Sequence, residues 1–253
     1  MNTLSENVTE IINPDGKGRV VLLCEHASSH IPAKYDDLGI ALEHRLSHAV
    51  WDPGALEIAR HLSAALDAPL VASKVSRLVY DCNRPPEAAG AMPEKSELVE
   101  VPGNKNLSSA AQKERVEEVY NPLVQAVSDI LTVRDNNTVL ITIHSFTPVY
   151  YGKLRAVEIG VLHDTDTRMA DAMLAQAQHL PHRVVERNAP YGPEDGVTHS
   201  LQLHGLRHGI ANVMLEVRND LLRSSDDEAL MAKELLALIK PALKALEPDN
   251  KDT

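Results

Sequence analysis

The stretch VVLLCEHASSHIP, residues 20–32, decides the fold. Its opening run VVLLC carries no charge, and a short apolar run bounded by polar residues reads as a buried strand. Glu25, His26 and His30 then arrive together with two serines. In α/β proteins ligands bind beyond the ends of strands. The same stretch therefore suggests a fold class and the location of its chemistry.

Outward from this strand, strand-like and helix-like patterns alternate. In the segment 42–67, Leu56, Ile58, Ala59, Leu62 and Leu66 recur mostly at three or four positions, which predicts an amphipathic helix. PLVAS (69–73) is a short strand, and SRLVYDCNRPP stops at Pro85 and Pro86, which cannot continue a ladder. Residues 87–106 are rich in Pro, Gly, Glu, Ser and Asn and form a surface loop that borders a site. A helix is predicted from the N-cap Ser108 to Val133, interrupted or bent near Pro122. TVLITIH (138–144), AVEIGVLHD, HRVVERN and NVMLEV are strands, and MADAMLAQAQHL is a helix. A long closing helix covers 226–246, where Ser225 and the acidic Asp226, Asp227 and Glu228 suit the N-terminus. No repeat or linker divides the chain. Residues 1–253 are expected to form one α/β domain, a mixed, mostly parallel sheet with helices on both faces in three layers.

Composition narrows the function. With 253 residues, 43% of them hydrophobic, the chain can bury a sizeable core, and 3% aromatic content means that aliphatic side chains fill it. Few rings also argue against a stacking platform for single-stranded nucleic acid. A net charge of −11 repels phosphate backbones, so nucleic acid is not an expected partner. MNTLSENVTE has neither a basic flank nor an apolar core, and no later stretch approaches the roughly 20 apolar residues that span a bilayer. A cytoplasmic protein without membrane contact is expected. Cys24 and Cys82 form no CxxC pair, which points to buried free thiols rather than a disulfide scaffold or a thiolate zinc cage.

Three apolar strands end in polar residues of one kind. VVLLC leads to His26, TVLITI to His144 and NVML to Glu216. If those strands are parallel neighbours, two imidazoles and a carboxylate meet at one sheet edge, as an open catalytic zinc site with a general base requires. A lone His after a strand is more often a hydrogen-bonded loop residue, and the chain has 12 histidines, so the reading rests on the convergence.

Taken together, CEHASSHIP, WDPGA, SRLVYDCNRP, HSFTP, NAPYGPEDGVTHSLQLHG and NVMLEVRNDLL resemble the N-formylglutamate amidohydrolase family, in order from about Val20 to Leu222. That family looks like a distant relative of the zinc carboxypeptidases and aspartoacylases. The resemblance implies a zinc-carboxypeptidase-like, mixed eight-stranded sheet flanked by helices, a zinc cofactor, and hydrolysis of the amide, typically formyl, on an acidic amino acid. It places His26 and His144 as metal ligands. The carboxypeptidase pattern has a Glu three residues after its first His, whereas this chain has Ser29 there. Asp52 in WDPGA matches an acidic position of the formylglutamate pattern, with His30 as the competing third ligand. Ile31-Pro32 disfavours a helix that would align His30 with His26. Glu25 is set aside because it faces away from His26 if the strand persists.

Arg77, Asn83 and Arg84 resemble the carboxypeptidase anion site, in which the Asn-Arg pair grips the substrate carboxylate and the earlier Arg polarises the scissile carbonyl. A guanidinium forks onto a carboxylate through two parallel hydrogen bonds. The competing reading pairs these arginines with Asp81 or Glu87 at the surface. Glu216 is the expected general base, Arg218 and Asn219 its orienters or substrate contacts. Tyr191 and His199, with Thr198, Ser200 and His204, lie in or beside a loop expected to border the site. No G-x-S-x-G, G-x-G-x-x-G or Walker sequence occurs. A small N-acyl, N-formyl above all, amino acid is the expected partner. A deacylase or carboxypeptidase-like hydrolase of another acyl group, or a non-catalytic metal- or carboxylate-binding module, are the alternatives.

Overall fold

The computed structural model describes residues 8–247. In chain order come β1 (Thr9–Ile12), β2 (Val20–Cys24), α1 (Ala55–Leu66) and β3 (Leu70–Ser73), then a small hairpin of β4 (Lys95–Ser96) and β5 (Val99–Glu100). Helix α2 (Ser109–Arg115) runs through a π turn (Val116–Tyr120) into α3 (Asn121–Thr132). Then follow β6 (Val139–Phe146), a second hairpin of β7 (Val149–Tyr150) and β8 (Lys153–Leu154), β9 (Ile159–Leu162), α4 (Arg168–Leu174), β10 (Val185–Arg187), β11 (Ala211–Arg218) and α5 (Ser225–Ala245).

One seven-stranded sheet runs in the order β1-β3-β2-β6-β11-β9-β10. Its four central strands, β3, β2, β6 and β11, are parallel, while β1 and the β9–β10 pair run the other way against their inner neighbours. The sheet is mixed and mostly parallel, as expected, with seven strands among the described residues rather than eight. The β4–β5 and β7–β8 pairs form separate two-stranded sheets and do not extend it.

VVLLC explains the layering. Val20, Leu22 and Cys24 join a core built with α1, α4 and α5, whereas Val21 and Leu23 join a second core with α3 on the opposite face. Alternating side chains of one strand thus enter both cores, which is why no polar residue is tolerated in it. Leu235 of α5 is fully buried in the first core. Leu235→Ala is expected to lower the unfolding free energy by about 2–5 kcal/mol in chemical denaturation, by lost transfer energy and a residual cavity.

Local signals hold with some adjustments. The Ser108 hydroxyl accepts from Ala111 N at 3.2 Å, so the expected cap is present. At Pro122 the helix does not break. Proline lacks the N–H for the regular ladder, and the turn just before it widens so that Asn121 N donates to Val116 O. The cap of α5 is Ser224 rather than Ser225: Ser224 has the extended backbone a cap needs, and its hydroxyl accepts from Asp227 N at 3.2 Å. SRLVYDCNRPP folds as consecutive turns that carry Tyr80 into the core. The edge strand β1 had no sequence signal strong enough to identify it. Among the described residues no helix is long and apolar enough to cross a membrane.

Candidate active site

The three expected strand ends do converge. β2, β6 and β11 are parallel neighbours, and the β6–β11 register sets Glu216 directly beside His144. The strand β2 stops at Cys24, so Glu25 and His26 lie in a turn and no longer alternate. Turned by that bend, Glu25 brings its carboxylate to 3.1 Å from His144 Nε2. That approach is a buried ion pair. Asp52 does not cap α1 with its side chain. Gly54 occupies the cap position at φ 81°, and the Asp52 carboxylate turns into the site.

His26 Nδ1, His144 Nδ1 and Asp52 Oδ2 form a buried triangle with sides of 3.1, 2.9 and 3.2 Å. Donor atoms about 2.0–2.1 Å from a tetrahedral ion stand about 3.3 Å from each other, so the triangle has the size of one face of such a coordination shell. Two imidazole nitrogens facing each other at 3.1 Å repel unless a proton or a cation lies between them. Both outer Nε2 atoms meet carboxylates, His26 at 2.7 Å from Asp81 and His144 at 3.1 Å from Glu25. An Nε2 proton shared with a carboxylate leaves the Nδ1 lone pair for a metal, the usual carboxylate–histidine support of a ligand. A divalent cation fits this donor set. His30 is exposed and outside it.

The charges agree. Burial opposes charge on His144, but Glu25 and Asp52 hold its pKa well above the ordinary value. His26 is also raised, with Asp81 and Asp52 outweighing burial and the Arg77 charge. Burial alone would raise Asp52, yet His26 and hydrogen bonds from both imidazoles hold it well below the usual carboxylate range. The nest is thus built for positive charge. Glu216 behaves oppositely. Burial pushes it up to about 7, with Asp52 adding to the shift and His144 opposing it, and its Oε2 has no hydrogen-bond partner.

A cavity of about 470 Å³ opens over these groups. Arg77, Asn83, Arg84 and Tyr191 line it, as does Arg155, which sequence reasoning missed. Arg77 is bound to Asp52 at 3.3 Å and to Asp81 at 2.8 Å, so it props the carboxylates around His26. Both atoms of the Asn83 amide are spent on the protein, Nδ2 donating to Val197 O at 2.5 Å and Oδ1 accepting from Ser200 N at 3.0 Å. Asn83 thereby braces residues 197–200 at the cavity wall. Arg84 donates to Asp195 O at 2.7 Å and has no carboxylate partner among the described residues.

Tyr191 is brought over the sheet because β9 carries Gly160, where a Cβ would collide with Ala189 O. Its hydroxyl accepts from Arg155 at 2.9 Å. Four of the expected residues lie outside the cavity lining. His199 does not line the cavity, since its Nε2 is bonded to the Tyr120 hydroxyl at 2.8 Å behind the wall. Thr198 donates to Asp164, and His204 is buried outside the cavity. Arg218 pairs with Asp220 and Glu158 and donates to Arg155 O, so it braces the segment after β8 instead of touching substrate. Asp81, met in the sequence only as a surface partner for arginine, is buried against His26. Asp81→Asn is expected to weaken metal binding by about 10- to 100-fold in competitive chelator titrations, by releasing the orientation of His26.

The model of the N-formylglutamate amidohydrolase family matches residues 18–223. A crystal structure of a gene product from Agrobacterium tumefaciens is 50% identical, with TM-score 0.93 over 96% of this chain and 97% of that one. The crystal structure of N-formylglutamate amidohydrolase from Ralstonia eutropha JMP134 is 16% identical and shares the fold, with TM-score 0.67 over 94% of this chain and 96% of that one. No match is found among curated proteins. With most of its length matched and its motifs gathered at one sheet edge, the chain belongs to the N-formylglutamate amidohydrolase family.

Proposed function

We propose that this protein hydrolyses the amide of a small N-acyl, specifically N-formyl, acidic amino acid with the help of a divalent metal ion, zinc in the first instance. The observation that carries the reading is the triangle of His26, His144 and Asp52 donor atoms, with the unsatisfied Glu216 carboxylate on the adjoining strand. A metal ion bound there supplies Lewis acidity and lowers the pKa of water toward about 7.

The chain's own groups do the rest. Glu216 takes a proton from the attacking water and delivers it to the leaving nitrogen as the C–N bond breaks, yielding formate and the free amino acid. Its raised pKa suits it to hold that proton between the two steps. Arg77, held at the cavity wall by Asp52 and Asp81, donates through its remaining N–H groups to the carbonyl oxygen as that oxygen gains charge. Arg84 takes the α-carboxylate.

The test combines metal analysis with turnover of N-formylglutamate, N-acetylaspartate and a short peptide, before and after chelation. One equivalent of metal, preference for the formyl substrate, and activity lost to chelator and restored by zinc are expected. Metal without turnover supports a binding module. Turnover in metal-free protein, indifferent to chelator, ends the metal mechanism.

A further inference from the structure

The cavity holds a guanidinium that its own protein leaves without an acid. Arg155 follows β8, and no carboxylate among the described residues pairs with it, although the chain carries a net charge of −11. Its Nη1 donates to the Tyr191 hydroxyl at 2.9 Å and to Thr147 O at 3.4 Å. The group lies 4.3 Å from the Tyr150 ring centroid, 4.7 Å from that of Tyr191 and 5.6 Å from that of Phe146. Rings on several sides hold the cation without neutralising it. The backbone is pinned as well: Arg155 N donates to Pro148 O at 2.8 Å, and Arg218 Nη1 donates to Arg155 O at 3.1 Å.

Arg77 is committed to two carboxylates, and Arg19 and Arg134 are tied to backbone carbonyls away from the cavity. Only Arg84 and Arg155 remain, among the described residues lining the cavity, as guanidiniums without an acid. An N-acyl amino acid carries one carboxylate on its α-carbon, and an acidic one carries a second. Two unneutralised cations match two anions.

We propose that Arg155, caged by Tyr150, Tyr191 and Phe146, binds the second, side-chain carboxylate of the substrate and so makes this cavity selective for dicarboxylic N-acyl amino acids. This rests on the amidohydrolase reading above and adds the substrate's side chain to it. A neutral amide in place of that carboxylate leaves the guanidinium desolvated and unpaired, which weakens binding by about 10- to 100-fold.

Two measurements separate the two readings. In the first, kcat/KM is compared for N-formylglutamate and N-formylglutamine in the zinc-loaded wild type and in Arg155→Gln. The wild type is expected to prefer the glutamate form by about 10- to 100-fold, mostly through KM, and the variant to bring the ratio close to one. Equal losses on both substrates, or a preference that survives in the variant, overturn the proposal. In the second, glutarate and butyrate are titrated calorimetrically into both proteins, which needs no turnover. Glutarate is expected to bind the wild type at least about tenfold more tightly than butyrate, with the difference erased in Arg155→Gln. Equal binding of the two acids by the wild type refutes Arg155 as a second-carboxylate receptor. If dicarboxylate selectivity is present and no N-formyl substrate is turned over, the amidohydrolase reading fails while Arg155's role stands.

Discussion

Glu216→Gln is expected to lower kcat by about 10²–10⁴-fold while metal content stays at one equivalent. The substitution keeps the shape of the side chain and removes its ability to take a proton. Glu216 lies on the strand next to His144 and is not part of the donor triangle, so the loss belongs to proton transfer rather than to ligation. Stability supplies an independent check. Burial raises the folded pKa of Glu216 to about 7, above its unfolded value, so the fold favours the protonated form. This group's contribution to stability is fully present below pH about 4.3 and is lost as pH rises through about 7. The uncharged Gln escapes that loss, and metal-free Glu216→Gln is expected to melt at or above the wild-type temperature at pH 8. A variant that is inactive and also unstable there would instead indicate misfolding. The wild-type rate is expected to rise with pH along its acid limb as Glu216 becomes a carboxylate, with the midpoint at or below about 7, since a cation in the nest favours the ionised form.

His144→Ala has the second large effect, on both metal and fold. One of three protein donors disappears, and bound metal after dialysis is expected to fall from one equivalent toward zero. Glu25 and Asp52 also lose the imidazole that faces them, at 3.1 and 2.9 Å. Removing one partner of a buried ion pair costs about 3–5 kcal/mol, because the remaining charge stays buried without compensation. In the native protein the His144 charge offsets burial and keeps the Glu25 pKa below its ordinary value. In the variant that offset is gone, only His26 and Ser200 are left against burial, and the folded pKa of Glu25 rises from its native position. Below about pH 6.5, where His144 is charged in both the folded and the unfolded wild type, the stability gap therefore narrows as pH falls toward about 4, where Glu25 accepts a proton. Urea denaturation at pH about 6 and about 4.5 reads that slope. A gap that widens on acidification would contradict the Glu25–His144 pairing.

Much of the fold was readable because the central strands are apolar runs with no competing pattern. VVLLC, TVLITIH and NVMLEV could only be buried, and the polar residues at their ends could only emerge at a sheet edge. Their adjacency was not readable, since strand order is set by packing between segments distant in sequence. Asp81 was misread for a related reason. An acid four residues from an arginine looks like a surface pair, and only burial against His26 gives it another role. Arg155 had no signal at all: KLRAV is a common surface sequence, and the rings around that arginine come from positions 146, 150 and 191. His199 failed in the opposite direction, because proximity in sequence to a cavity loop did not place its ring inside the cavity.

The donors His26 and His144, with Glu216 beside them, hang from the innermost ladders of the sheet, with two cores pressed against opposite faces. Amide protons of β6 and β11 are expected to exchange with deuterium only at the pace of whole-domain unfolding, while those of the two small hairpins exchange within minutes. An ion seated at that depth cannot leave by fraying of its surroundings. On the proposed reading its departure and arrival would go through the same mouth the substrate uses, so a tightly held substrate or inhibitor should also slow the escape of a bound metal.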